Sequence, residues 1–254
     1  MRRCLIAIFA FLFLPAPSHG LEDRVLSLST DTYEAEVVIS ADLLAFPAVL
    51  EALAIGSETE LLEGRHWGEG NAQTWSVRWD VLAQAGSLIS LRRQIYVYSH
   101  GAAHGQTDFE LIIWDLDAST RLSVIDMIDP RHRENALNTI WFEAAKDLEA
   151  QKAERGIADH IAARLARSED WPVGAGLLPS SQDGHFGGFS LWFGSYGLGA
   201  YAEGSYTLII PASAFDAMLK PQYRTLFGGE PRPNRGFEAW MCDSPALVGC
   251  PETE

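Results

Sequence analysis

The sequence predicts an α+β fold: an antiparallel β-sheet meander with two central helices packed on it and a C-terminal strand-helix unit. Three observations carry this. Residues 74–116 fall into three runs of strand-like alternation separated by short turns. Residues 134–167 change to helical periodicity, and residues 173–211 change back to strand runs. Strands, then helices, then strands in one chain point to antiparallel sheet with segregated helices rather than to repeated βαβ units.

The chain opens MRRCLIAIFAFLFLPAPSHG, with Arg2 and Arg3 ahead of an apolar run, Cys4 to Leu14, that is too short to span a bilayer. This is the pattern of a secretory signal peptide over residues 1–20. Small residues at Ser18 and Gly20 place cleavage after Gly20, with cleavage after Ser18 as the alternative. Cys4 precedes the apolar run, whereas a lipid anchor needs a cysteine directly after it. The expectation is a periplasmic or secreted protein with no membrane span once the leader is removed.

Residues 21–73 read as an N-terminal strand and helix segment. VLSLS and TYEAEVVIS alternate, with Tyr33, Ala35, Val37 and Ile39 on one face and Glu34 and Glu36 on the other. Beyond Ser40 the pattern is helical in pieces, with Pro47 suited to a helix start and Gly56 dividing two short helices.

Residues 74–219 hold the main domain. TWSVRWDVLAQ, SLISLRRQIYVYS and TDFELIIWDLD are joined by Ala85 and Gly86 and by the loop HGAAHG, a meander with short turns. In the third strand Phe109, Leu111 and Ile113 share one face, and Glu110, Ile112 and Trp114 the other. Both faces are apolar enough to need cover. ENALNTIWFEAAKDLEAQKA offers it, with Leu137, Ile140, Trp141, Ala144 and Leu148 on one stripe, and IADHIAARLAR repeats the pattern with Ile157, Ile161 and Leu165. Strands then return in VGAGLLPSS, GGFSLWFGSY and GSYTLIIPA, ahead of a short helix over residues 212–219.

Residues 220–254 form a Gly- and Pro-rich tail that should wrap the surface. Loss of the leader removes Cys4 and leaves Cys242 and Cys250, with Pro245 and Gly249 to turn the chain between them. In an oxidising compartment this pair reads as a disulfide. The rival metal reading lacks ligand spacing.

The 254-residue chain carries 19 Lys and Arg against 34 Asp and Glu, a formal net charge of −15. The leader holds two of those Arg and no acid, so the mature chain is more acidic still. Such a field repels nucleic acid and anionic lipid and attracts basic partners, or serves only to keep the protein soluble. His100 and His104 have the i, i+4 spacing of zinc ligands on a helix, but they sit in a hairpin loop, and no HExxH is present. A structural loop, a partner-binding loop and a metal site are the three readings, and the residues favour the first. GxSxG, SxxK and the P-loop pattern are missing, so DGHFGG at 183–188 stands without a nucleophile motif, and the glycines of FGGF read as tight backbone packing. No cofactor and no metal are expected. Trp75, Trp79, Trp114 and Trp141 fall on core positions, while Tyr196, Tyr201 and Tyr206 crowd a Gly-rich segment where rings either pack or grip a glycan or protein groove.

Two segments carry a family resemblance. SHGAAHGQTDFELIIWDLDASTRLSVIDMID resembles the Gly-Gly-Ala-His-Gly hairpin and following strand in the extracytoplasmic domain of RsiV-type anti-sigma factors, a lysozyme-binding domain-of-unknown-function family. GFSLWFGSYGLGAYAEGSYTLIIPASAF is similar to that domain's later signature, an aromatic strand, a Tyr and an Ala-Tyr-Ala-x-Gly turn. The matching positions are Gly101, Ala103, His104 and Gly105, then Tyr196, Ala200, Tyr201, Ala202 and Gly204; a second Gly is usual in place of Ala102, and a Pro often stands in place of Ala200. The resemblance covers roughly Thr74 to Leu219, and neither the sigma-binding segment nor the membrane helix of those factors is expected here. It implies a free-standing binding protein of the cell envelope, whose partner is a basic protein such as lysozyme or a peptidoglycan fragment. A cell-wall hydrolase or deacetylase with a dispersed site, and a structural envelope protein, are the alternatives.

Overall fold

A computed structural model describes residues 22–64, 72–154, 156–157, 160–170, 172 and 174–232. The expected leader and the expected Cys242 to Cys250 bridge lie outside these residues. The fold class is the expected α+β, built on two sheets.

The larger sheet has six strands in chain order: β1 (Arg24–Ser29), β2 (Tyr33–Ile39), β3 (Gln73–Ala85), β4 (Leu88–Ser99), β5 (Gln106–Asp115) and β6 (Thr120–Leu122). Strands β3 to β6 form the antiparallel meander. Alternation does not reveal that β2 runs parallel to β3, with Tyr33 opposite Gln73 and Ile39 opposite Trp79. A parallel neighbour needs a crossover, and residues 40–72 supply it. They carry α1 (Pro47–Ala52), with Pro47 in its first turn, and α2 (Glu58–Glu63). Between them Gly56 takes φ 72°, a left-handed turn that favours glycine.

The crossover covers one face of the sheet. Tyr33, Val37, Ile39, Trp75, Trp79, Leu91, Ile112 and Trp114 form a core there with Leu43 and Val49. Glu60 is buried among them. Its carboxylate accepts from Gly56 N at 2.7 Å, from Trp79 Nε1 at 2.8 Å and from Arg93 Nε at 3.2 Å. Burying a carboxylate costs free energy unless donors such as these meet it.

The other face is covered in a way the sequence hides. β7 (Ala175–Pro179), β8 (Phe186–Phe193) and β9 (Tyr206–Pro211) make a second, antiparallel sheet. β7 runs against β3, β4 and β5, while the long helix of this region lies on β9. The helices of this part are α3 (Val124–Met127), α4 (Arg133–Glu154) and α5 (Ile161–Leu165), with α6 (Pro221–Arg224) further on. The expected stripe of α4 is buried at Ile140, Trp141, Ala144 and Leu148, in one core with Leu88, Ile113, Phe189 and Leu208. α4 also closes the open edge of β9: Ile209 N donates to Asp147 Oδ2 at 2.9 Å, and Gln151 Nε2 donates to the Thr207 carbonyl at 2.8 Å.

Residues 212–219, expected as one helix, are two 3-10 turns, Ala212–Ala214 and Asp216–Met218. Phe215 between them leaves helical geometry at φ −135° and stacks its fully buried ring on Phe189, with centroids 4.4 Å apart. The tail then runs beside β8. Gly228 N donates to the Phe186 carbonyl at 3.0 Å, and Ser181 N to the Glu230 carbonyl at 2.8 Å. The glycines of FGGF are the close approach expected of them. An ideal Cβ on Gly187 would stand 2.4 Å from Pro231 Cα, and one on Gly188 2.1 Å from the Ile210 carbonyl oxygen. Among the described residues no helix is long and apolar enough to cross a membrane.

Candidate functional site

The loop between β4 and β5 and the turn between β8 and β9 are about a hundred residues apart in sequence and touch in space. The His104 ring stacks on Tyr201, with centroids 4.3 Å apart and planes at 25°. Tyr201 in turn meets Tyr196 at 5.3 Å. Tyr196 is 71% exposed and takes φ 71°, a conformation that costs a tyrosine free energy. The result is a solvent-facing platform of three rings.

The signature residues hold this platform in different ways. Gly101 at φ 93° and Gly204 at φ 75° provide left-handed backbone in open space. Gly105 is required by a neighbour instead, because an ideal Cβ there would stand 2.3 Å from the Tyr96 hydroxyl. Ala103 is exposed in the loop. Tyr98 and His100 complete the aromatic surroundings, their rings 5.6 Å apart. Burial pushes the Tyr96 phenol up from its ordinary pKa, with Tyr98 and Tyr201 adding to the effect.

His104 Nδ1 lies 3.0 Å from the Gly105 carbonyl oxygen and 2.9 Å from the Tyr201 hydroxyl. With its proton on Nδ1 the ring donates to the carbonyl; with the proton on Nε2, Nδ1 accepts from the phenol. The backbone bond expected of a structural histidine is therefore present in one tautomer. The ring itself is exposed.

Sequence reasoning missed the anchor beneath Tyr201. Glu203 Oε2 accepts from Tyr206 Oη at 2.7 Å and Lys152 Nζ at 3.2 Å, while Oε1 accepts from Ala200 N at 2.8 Å. The Tyr206 hydroxyl, then the Ala200 amide, then Lys152 lower the Glu203 pKa to about 2. Lys152 is only 2% exposed and ties α4 to the turn. One signal could have found it: Lys152 lies four residues beyond Leu148 on the buried stripe. Trp192 on β8 packs edge-on to Phe109 at 4.7 Å, and its buried Nε1 has no hydrogen-bond partner among the described residues.

The other motifs do not join this cluster. In DGHFGG, His185 Nδ1 faces the Asp183 carbonyl at 2.9 Å and Nε2 faces Gln182 Nε2 at 3.2 Å. The hydroxyl of nearby Ser180 donates to the Gly228 carbonyl rather than to an imidazole. Among the described residues, no three His, Cys, Asp or Glu side chains converge as a metal site would require.

No family model matches the sequence, and no curated protein does. Similar solved structures include two of DUF3298 family proteins. A DUF3298 family protein from Pseudomonas aeruginosa PAO1 has a TM-score of 0.51 at 18% identity, covering 83% of this chain and 98% of its own. A member of the same family from Bacteroides fragilis has a TM-score of 0.49 at 16% identity, covering 79% and 94%. At such identities the likeness to the Pseudomonas protein is one of fold.

Proposed function

We propose that this chain is a binding protein of the cell envelope that works outside the cytoplasm and uses the His104, Tyr201 and Tyr196 platform as its contact surface. The exposed three-ring stack supports the reading, since its outermost ring is kept in a strained backbone conformation while facing solvent. Rigid aromatic rings offer large contact area at low entropic cost. Their ligand in this reading is lysozyme or another cell-wall component, as the RsiV-type resemblance implies, and the acidity of the chain suits a basic muramidase.

The test is a calorimetric titration of the mature protein with lysozyme and with soluble peptidoglycan fragments, product release being followed in parallel. Binding without turnover, weakened at least about tenfold by Tyr201→Ala or Tyr196→Ala with melting unchanged, is the expected result. Released product would replace this reading with that of a cell-wall hydrolase. Silence with both ligands would end it.

A further inference from the structure

A second surface, bordering the platform at Tyr96 and Tyr98 and running from there across β3 to β1, carries a pattern that repeats from one row of the sheet to the next. The register of β1 to β4 sets Ser29, Glu34, Thr74 and Tyr98 side by side, and Ser27, Glu36, Ser76 and Tyr96 in the next row on the same face. Each row has the same order: short hydroxyl, carboxylate, short hydroxyl, phenol. Their chain neighbours Tyr33, Ala35, Trp75 and Val77 point the other way, into the core. The row residues belong to neither core; Ser27, Ser29, Glu34 and Glu36 are exposed, and Thr74, Ser76, Tyr96 and Tyr98 are half-buried.

Strands are spaced about 4.8 Å apart, so the glutamates on β2 and the tyrosines on β4 stand about 10 Å from each other across the short side chains of β3. This makes a trough with an anionic wall, a hydroxyl floor and an aromatic wall. The guanidinium in the next row, Arg78, is committed to Asp23 at 3.0 Å and Asp80 at 2.9 Å. Among the described residues Glu34 and Glu36 form no ion pair.

We infer that this trough takes an extended cationic peptide segment with Lys or Arg at alternate positions, one side chain to each row. Successive rows are about 6.7 Å apart, two residues of strand, which is also the distance between side chains i and i+2 of an extended ligand. In each row the ligand's charge meets a carboxylate, its aliphatic stem lies along a tyrosine ring, and the Ser or Thr hydroxyls meet its peptide groups. The two carboxylates reject anionic glycans and lipid headgroups, and the acidity of the chain steers a basic segment toward them. Tyr96 and Tyr98 border the platform, but the glutamates and hydroxyls that define the trough lie on β1 to β3, and the inference does not depend on the reading given to the platform.

The probes are two labelled peptides of one composition, with lysines spaced i, i+2 or i, i+3, followed by fluorescence anisotropy at low salt. The i, i+2 peptide should bind the parent at least about fivefold more tightly and lose at least about tenfold with Glu34→Gln plus Glu36→Gln. Tyr98→Leu should weaken it several-fold, whereas Tyr196→Ala should leave it unchanged. Both glutamates are exposed, so the melt should stay parental, and each single substitution should give a partial loss should the double variant misfold. Equal affinity for the two spacings, or indifference to the glutamates, overturns the inference. So does tighter, glutamate-dependent binding of a glucosamine oligomer, which would assign the trough to an amino sugar.

Discussion

Gly188 shows what a single missing side chain does here. A Cβ would enter the Ile210 carbonyl oxygen on the paired strand, and backbone cannot turn aside as a side chain can. Gly188→Ala should therefore cost at least about 3 kcal/mol, the upper range for overpacking, and show as a marked fall in melting temperature. An unchanged melt would mean that β8 and β9 are not this close. His104 lies at the other extreme. Its bonds are at the surface, where losing one leaves no buried group unpaired, so His104→Ala should shift stability by less than about 0.5 kcal/mol. Ligand affinity should fall all the same, because Tyr201 loses the ring on which it stacks. The histidine, the glycines and the two tyrosines were legible in the sequence because they sit in short, compositionally odd loops. Tyr96 was not, since its contact with Gly105 depends on which way a β4 side chain leans.

At the scale of elements, the turn bearing Tyr201 is held by Glu203, and its ionisation gives a signed prediction. The folded pKa of about 2 lies below the ordinary 4.5, so the charged carboxylate favours the folded state above about pH 4.5. That contribution fades as pH falls through the folded value. Glu203→Gln should lower the melting temperature near neutrality and flatten its dependence on pH between about 4.5 and 2. Parallel parent and variant curves over that window would show that the carboxylate is not so engaged. The same element scale marks where sequence reading stopped. Alternation in TYEAEVVIS fixes which residues face the core, but not that β2 lies parallel beside β3 across an intervening crossover. Nor could it show that Asp147 and Gln151, polar residues on a helix, are there to satisfy the edge of β9. Helical periodicity reports apolar contact, and these two bonds are polar.

At the scale of the molecule, the meander strands serve two cores at once. Ile112 and Ile113 are chain neighbours, 2% and 1% exposed, yet Ile112 packs under α1 and α2 while Ile113 packs with α4 and the second sheet. The alternation in FELIIWDL foretold the two faces but not their separate partners, because periodicity says nothing of what lies above a face. Strands shared in this way couple the two cores, because the packing on each face steadies the same β4 to β5 ladder. Ile112→Ala and Ile113→Ala should each cost about 2 to 5 kcal/mol. Both should move one unfolding transition rather than split it, with calorimetric and van't Hoff enthalpies agreeing in parent and variants alike. If Ile112→Ala instead produced an early, separate transition, the α1 and α2 side would be a unit of its own.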